Sequence, residues 1–224
     1  MSTMLEVKDL SISFGGIKAV QGVSFQIEAG EIVGLIGPNG SGKSTCINLI
    51  SGVNRPDNGK VIFDGQELTD QQDIADRSKL GMGRTFQSPR PFANLTVYDN
   101  IFSIAIQKYD RATAAKKTED ILKMTGLYPV SSLLSSKLPI EKRKWLDLAR
   151  ILATDPKFIM MDEVINREGV TVLFVEHVMK AVVHLCGRAI VLNEGKLLCE
   201  GEPGDVLGRK EVVEAYLGGG HKHA

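Results

Sequence analysis

The sequence has no excess of charge of either sign: 27 Lys and Arg stand against 27 Asp and Glu over 224 residues. Such a chain carries no electrostatic footprint for nucleic acid or for an anionic membrane surface. It has no apolar run approaching the roughly eighteen residues of a membrane span. Its first residues, MSTMLEVKDL, include acids and lack the apolar centre of a signal peptide. Cysteine is scarce, and Cys46, Cys186 and Cys199 are scattered and odd in number. That excludes a disulfide framework and indicates reduced thiols in a cytosolic protein. Cys46 stands beside a glycine-rich loop but reads best as a small apolar helix residue. What remains is one large domain or two small ones, with enough chain to bury a sizeable core.

Residues 4–28 alternate apolar and polar around Gly15-Gly16, which predicts antiparallel strands joined by a turn. Glu31 to Ile36 is a short apolar strand that runs into a glycine-rich turn. Lys43 to Ser51 predicts a helix capped by Gly52. Lys60 to Asp64 is a further strand closed by Asp64-Gly65. Residues 88–156 change character. Pro89, Pro91 and Asn94 mark a loop, Thr96-x-x-Asp99 resembles a capping box, and a helix is predicted over Glu141 to Ala153. After Pro156, strands are predicted at 158–162, 171–175, 188–192 and 196–200, with a helix at 178–186. Asn193-Glu194-Gly195 makes the last strand pair a hairpin.

The fold class is therefore α/β: a core of mainly parallel strands, an N-terminal antiparallel β subdomain and a helical insert. Expected boundaries are 1–87 with 157–217 for the core, 88–156 for the helical part and 218–224 for a flexible tail. The two tail histidines read as solvated, not as metal ligands.

Gly37-Pro38-Asn39-Gly40-Ser41-Gly42-Lys43-Ser44 matches G-x-x-x-x-G-K-[ST]. Its glycines let backbone N–H groups close around phosphate oxygens. The helix that starts at Lys43 adds its positive end. In such a loop Lys43 reaches the β- and γ-phosphates and Ser44 holds Mg²⁺. A chance match in a chain of this length is on the order of one per cent. Phe158-Ile159-Met160-Met161-Asp162-Glu163 supplies a second element. Asp162, at a strand end, can hold Mg²⁺ through water, and Glu163 can orient or deprotonate an attacking water. Alone, that pair is a common strand end entering a polar loop; beside the phosphate loop it becomes specific.

The order of motifs resembles an ABC-transporter ATPase over essentially the whole chain. The resemblance implies that Phe14 stacks on adenine, although a core strand position would explain that residue equally well. It implies that residues 37–44 and Thr45 bind ATP. It makes Gln87, in Gly83-Arg84-Thr85-Phe86-Gln87, a contact to Mg²⁺ and the attacking water. It makes His177, after Val175-Glu176, a contact to the γ-phosphate. The stretches GRTFQSPRPFANLTVYDNI, FVEHVMKAV and RAIVLNEGKLLCEGEP are most similar to the ATPases of branched-chain amino-acid importers. Membership implies pairing with a second ATPase, normally a different but related chain. It also implies attachment to integral membrane permease subunits at the inner face of the cell membrane, and an extracytoplasmic solute receptor. The loop from Pro89 to Thr96 would lie near the groove that receives a permease helix.

The sequence departs from that family at two places. The signature motif, normally Leu-Ser-Gly-Gly-Gln, reads Leu138-Pro139-Ile140-Glu141-Lys142. Pro139 removes a backbone donor. Ile140 adds bulk, and Glu141 places a carboxylate where a partner's phosphate would approach. Two like charges at about 4 Å repel by roughly 1 kcal/mol in water and more when shielded. Alternatively, Glu141 is an ordinary first-turn residue facing away. The second departure is that only Glu163 to Val170 separate two strands that should be parallel neighbours. A parallel crossover needs about a dozen residues or more. On the order of twenty are missing relative to the family pattern, including a loop that contacts the partner and a helix. Either the chain lacks them or the sequence as written skips them. The intact strand patterns on both sides favour the second, with the break just after Val164.

The resemblance implies an ATPase with a P-loop NTPase core, using ATP and Mg²⁺ and powering uptake of branched-chain or other hydrophobic amino acids. Related alternatives are lipopolysaccharide export, urea or amide uptake, or a regulatory subunit that binds nucleotide without hydrolysing it. A soluble ABC protein of repair or translation is disfavoured, because those usually carry two ATPase units or a large insert.

Overall fold

A computed structural model of the chain describes residues 2–86, 88–161, 170–175 and 179–218. They form two compact units, Met1–Met82 with Phe158–Ala224, and Gly83–Lys157. The division falls a few residues from the boundaries expected at 87/88 and 156/157. Among the described residues no helix is long and apolar enough to cross a membrane.

The first unit opens with two long antiparallel strands, β1 (Thr3–Phe14) and β2 (Ile17–Glu28). Their turn lies at Gly15-Gly16, where both φ angles are positive. Strand β3 (Ile32–Ile36) leads into helix α1 (Lys43–Ser51). The hairpin β4 (Asn58–Phe63) and β5 (Gln66–Leu68) follows, then the short helix α2 (Ile74–Lys79) and strand β6 (Met82–Arg84). Strands β1, β2, β4 and β5 form one antiparallel sheet, in the order β2-β1-β4-β5.

The second unit contributes α3 (Val97–Ala105), α4 (Arg111–Met124) and α5 (Ile140–Leu152). Thr96 caps α3 as the sequence pattern suggests, its hydroxyl accepting from the Asp99 amide at 3.0 Å. The hydroxyl in turn donates to the Asp99 carboxylate at 2.6 Å, so the two side chains hold each other at the helix start.

The chain returns to the first unit as β7 (Phe158–Met161), β8 (Thr171–Val175), helix α6 (Met179–Leu185) and the hairpin β9 (Arg188–Asn193) and β10 (Lys196–Gly201). Short helices α7 (Pro203–Leu207) and α8 (Lys210–Gly218) end the described chain. The second sheet has the order β10-β9-β3-β8-β7-β6. Its centre is parallel: β3 pairs with β8 and β9, and β8 with β7. Every residue of β7 and β8 is buried, as expected of parallel strands covered on both faces. Arg188 fastens this sheet to the first. Its guanidinium donates to Glu31 at 2.7 Å, Glu200 at 2.7 Å and the Gln26 carbonyl at 2.5 Å.

Strands β7 and β8 lie side by side and parallel, as expected: Phe158 faces Thr171 and Met161 faces Phe174 in unbroken register. The expected break just after Val164 lies outside the described residues.

Trypsin cuts after Lys157 and Arg167. Peptide mapping by mass spectrometry should therefore recover Phe158–Arg167 as one peptide, and a heavier peptide in its place would restore the longer connection.

Candidate functional site

The parallel register brings three strand ends together. Leu35 of β3 faces Val175 of β8, and Met161 of β7 faces Phe174. The C-terminal ends of β3, β8 and β7 therefore share one edge of the sheet, the usual location of a ligand site in an open α/β fold. From that edge the chain continues from β3 into residues 37–42, from β7 into Asp162 and Glu163, and from β8 into Glu176 and His177. Asp162, Glu163, His177 and Gln87 lie outside the described residues.

Residues 37–42 make a tight loop with a buried base and an exposed tip. Gly37, Ser41 and Lys43 are buried, while Asn39, Gly40 and Ser44 are exposed and Pro38, Gly42 and Thr45 lie between. Gly37 has φ 149°, and a Cβ there would stand 2.1 Å from the Leu192 carbonyl oxygen. Gly42 has φ 98°, and its Cβ would stand 2.5 Å from the Ala19 carbonyl oxygen. Both positions combine a positive φ with a backbone neighbour that cannot move aside. The loop is held from behind by the β9–β10 turn: Gly195 donates to the Ser41 carbonyl at 3.0 Å, and Gln21 of β2 donates to the Gly195 carbonyl at 2.7 Å.

Helix α1 begins with no side chain capping its first turn, because its N-cap is Gly42. Its leading N–H groups and the positive end of its dipole are thus left for an anion. Lys43 is 5% exposed. Its ammonium folds back on the loop, donating to the Gly37 carbonyl at 2.7 Å, the Pro38 carbonyl at 2.9 Å and the Ser41 hydroxyl at 3.3 Å. Burial lowers its pKa below the ordinary lysine value. The residues fit the phosphates of ATP: a glycine cradle that side chains would fill, uncapped amides, a buried cation and an exposed hydroxyl on Ser44.

The opposite end of α1 carries a residue that the sequence pattern does not single out. Arg77 of α2 is 4% exposed, and its Nη1 donates to the Leu49 carbonyl at 2.9 Å and the Ile50 carbonyl at 2.6 Å. A buried cation thus meets the negative end of the helix whose positive end faces the loop. No motif marks Arg77, because the carbonyls it serves are set by the fold.

Phe14 is the last residue of β1, pairs with Ile17 across the turn and is 49% exposed. This excludes the core-strand explanation for it. The same ribbon brings Ala19 against Gly42. Cys46 is fully buried in α1, and burial pushes its thiol up to about 12, which supports its reading as a packing residue. All three cysteines are free thiols.

The signature residues lie in the second unit. Leu138 is buried, and Pro139 is the N-cap of α5 with no side-chain cap. Ile140 is 59% exposed, and Pro139 and Glu141 are also exposed. Arg143 secures the helix start by donating to the Leu138 carbonyl at 2.9 Å and the Ser136 carbonyl at 2.7 Å.

Comparison with known proteins finds one family across this architecture. The family described as ABC transporter matches residues 20–166. A probable branched-chain amino acid transport ATP-binding protein LivG of Archaeoglobus fulgidus is 33% identical, covering 96% of this chain and 95% of that protein. The lipopolysaccharide export system ATP-binding protein LptB of Haemophilus influenzae is 28% identical, covering 96% and 98%. A crystal structure described as the ADP conformation of an ATP-binding cassette of an ABC transporter superposes with a TM-score of 0.83 at 29% identity, covering 97% and 100%. The LivG alignment runs over 247 residues although only 96% of this 224-residue chain takes part. That relative therefore has stretches with no counterpart here.

Replacing Gly37 with Ala should abolish nucleotide binding in a fluorescent-ATP titration and lower the Tm, because the new methyl meets backbone. Replacing Arg77 with Ala should cost about 2 kcal/mol in denaturant unfolding, and Arg77→Lys should not fully recover it, since one ammonium cannot serve the Leu49 and Ile50 carbonyls and also the Gln72 carbonyl that Nε reaches. With iodoacetamide at pH 8, Cys46 holds its proton and only on the order of 1 in 10⁴ is thiolate. Cys199, the partly exposed thiol, should label first in the native protein, and Cys46 only on unfolding, as read by mass spectrometry.

Proposed function

The chain belongs to the ABC transporter family of ATP-binding subunits, and on that premise we propose that it powers uptake of branched-chain or other hydrophobic amino acids. Its standing as an ABC ATPase comes with the family; the cargo is the finer reading. The observation that carries it is the 33% identity with LivG over 96% of this chain. The similarity to LptB at 28% keeps lipopolysaccharide export as the second reading.

In this reading the uncapped amides of α1 and the ammonium of Lys43 hold the phosphates of ATP. Lys43 exchanges the Gly37 and Pro38 carbonyls for phosphate oxygens, which suit a cation better. Ser44, Asp162 and Gln87 would hold Mg²⁺, which when bound would supply positive charge beside the transferred phosphoryl. Glu163 accepts a proton from the attacking water, while His177 and Gln87 position it. Phe14, half-exposed at the ribbon end, stacks on adenine. A second, related ATPase completes each site, and permease subunits couple closure to transport at the inner face of the membrane. An extracytoplasmic receptor delivers the solute.

The signature limits the partner's site more than this chain's own. Ile140 and Glu141 are exposed at the start of α5, where the family pattern places glycines. This chain is thus read as hydrolysing at its own phosphate loop while weakening the site built on its partner's.

In the purified transporter, Glu163→Gln should lower ATPase activity by at least about 10²-fold while ATP binding persists; undiminished turnover would remove Glu163 from the reaction. Rebuilding residues 139–141 as Ser-Gly-Gly should raise turnover, and an unchanged rate would show that the altered signature does not limit it. Copurified permeases and the solute retained by the associated receptor decide between the two cargoes.

A further inference from the structure

Helix α1 has a cation buried at each end, and only one of them belongs to the phosphate-binding motif. Lys43 stands at its start and Arg77 of α2 at its last turn, 5% and 4% exposed. Besides its bonds to the Leu49 and Ile50 carbonyls, Arg77 donates from Nε to the Gln72 carbonyl at 3.2 Å, and Nη2 lies 3.5 Å from the Thr69 carbonyl. Its hydrogen bonds thus go to backbone carbonyls, and Asp70, the acid whose charge acts on it, is exposed. A guanidinium keeps its proton in a protein, so a full positive charge stands inside the first unit among partial charges.

The backbone makes room for that charge. Gly52, the C-cap of α1, has φ 83°, and a Cβ there would stand 2.8 Å from Arg77 Nε and 2.9 Å from the Gln72 carbonyl oxygen. The last carbonyls of a helix lack partners within it, and those of the buried Leu49 and Ile50 need a donor. A neutral amide could supply one. Burying a cation instead is costly, so capping alone does not account for the choice.

The two ends of α1 are electrically close. Its nine residues span about 13 Å. Cys46, Ile47, Leu49 and Ile50, all buried, lie between them. Along that path the field of Arg77 is screened less than that of a surface charge. It acts on a bound anion in two ways of the same sign. It offsets the negative end of the α1 dipole, which repels the anion, and it attracts the anion directly.

We propose that Arg77 is a positioning residue of the phosphate site whose charge, acting through α1, strengthens the hold of the loop on phosphate, most for the ligand with the most negative charge. This rests on the reading of residues 37–45 as the nucleotide site. It names a group outside the motif that sets the strength of that site and its preference for ATP over ADP.

Fluorescent ATP and ADP, titrated into the full-length protein at low salt without Mg²⁺, read the effect, and a circular-dichroism melt of each variant reads stability. Arg77→Gln keeps two N–H donors and loses the charge. It should weaken ATP about tenfold and ADP by less. Arg77→Lys keeps the charge and should bind both nucleotides within about twofold of wild type, although its Tm stays lowered. If Arg77 serves folding alone, both affinities stay unchanged or follow Tm in both variants, and the proposal is overturned. Lys79→Gln removes a charge from the exposed side of the same helix, where that side chain is 76% exposed. It should change neither affinity, and a loss equal to that of Arg77→Gln would reduce the effect to net charge and overturn the proposal. Wild type that binds neither nucleotide overturns the reading of the loop and the proposal with it. Binding that Arg77→Gln leaves unchanged overturns the proposal alone. Should Arg77→Gln fail to fold, Arg77→Lys decides, because a buried ammonium sheds its proton where a guanidinium does not. Its ATP affinity should fall severalfold relative to wild type between about pH 7 and pH 10, and parallel profiles overturn the proposal.

Discussion

The structure of the first unit depends on keeping a row of backbone amides unsatisfied at the end of a buried strand. Unpaired N–H groups are costly inside a protein, so they must face outward while the loop that bears them is braced from within. The bracing is almost all backbone. The Ala19 and Leu192 carbonyls crowd the two glycines, and Gly195 donates to Ser41. Lys43 spends its ammonium on the loop's own carbonyls, and Arg77 stabilises the far end of α1. Conformation, charge and dipole thus all point one way, toward an anion at the sheet edge.

Much of this arrangement was legible in the sequence. Lys43–Ser51 with its Gly52 cap, the turn at Gly15-Gly16 and the Thr96 cap appear where local chemistry placed them, because each depends on a few neighbouring residues. The parallel strands were legible as unbroken apolar runs. Arg77 was not, since the carbonyls it serves are assembled only by tertiary packing.

The two departures from the family pattern share a character. The phosphate loop and the acids after β7, which the proposed function assigns to this chain's own nucleotide, follow the pattern. The signature and the shortened connection, the parts that face a second subunit in that pattern, do not. Under the proposed function, a chain altered on one side only suits an asymmetric pair, in which the two ATP sites would carry unequal shares of the work.

The bracing of the phosphate loop also has a consequence for synthesis. Gln21 reaches forward to the Glu194 carbonyl, 173 positions along the chain, and Gly195 beside it seats Ser41. A growing polypeptide has therefore emitted its whole glycine-rich motif long before it makes the turn that holds that motif open. Contacts so distant in sequence form late. The glycine-rich loop therefore stays without its brace on the ribosome until the turn at Gly195 has been made.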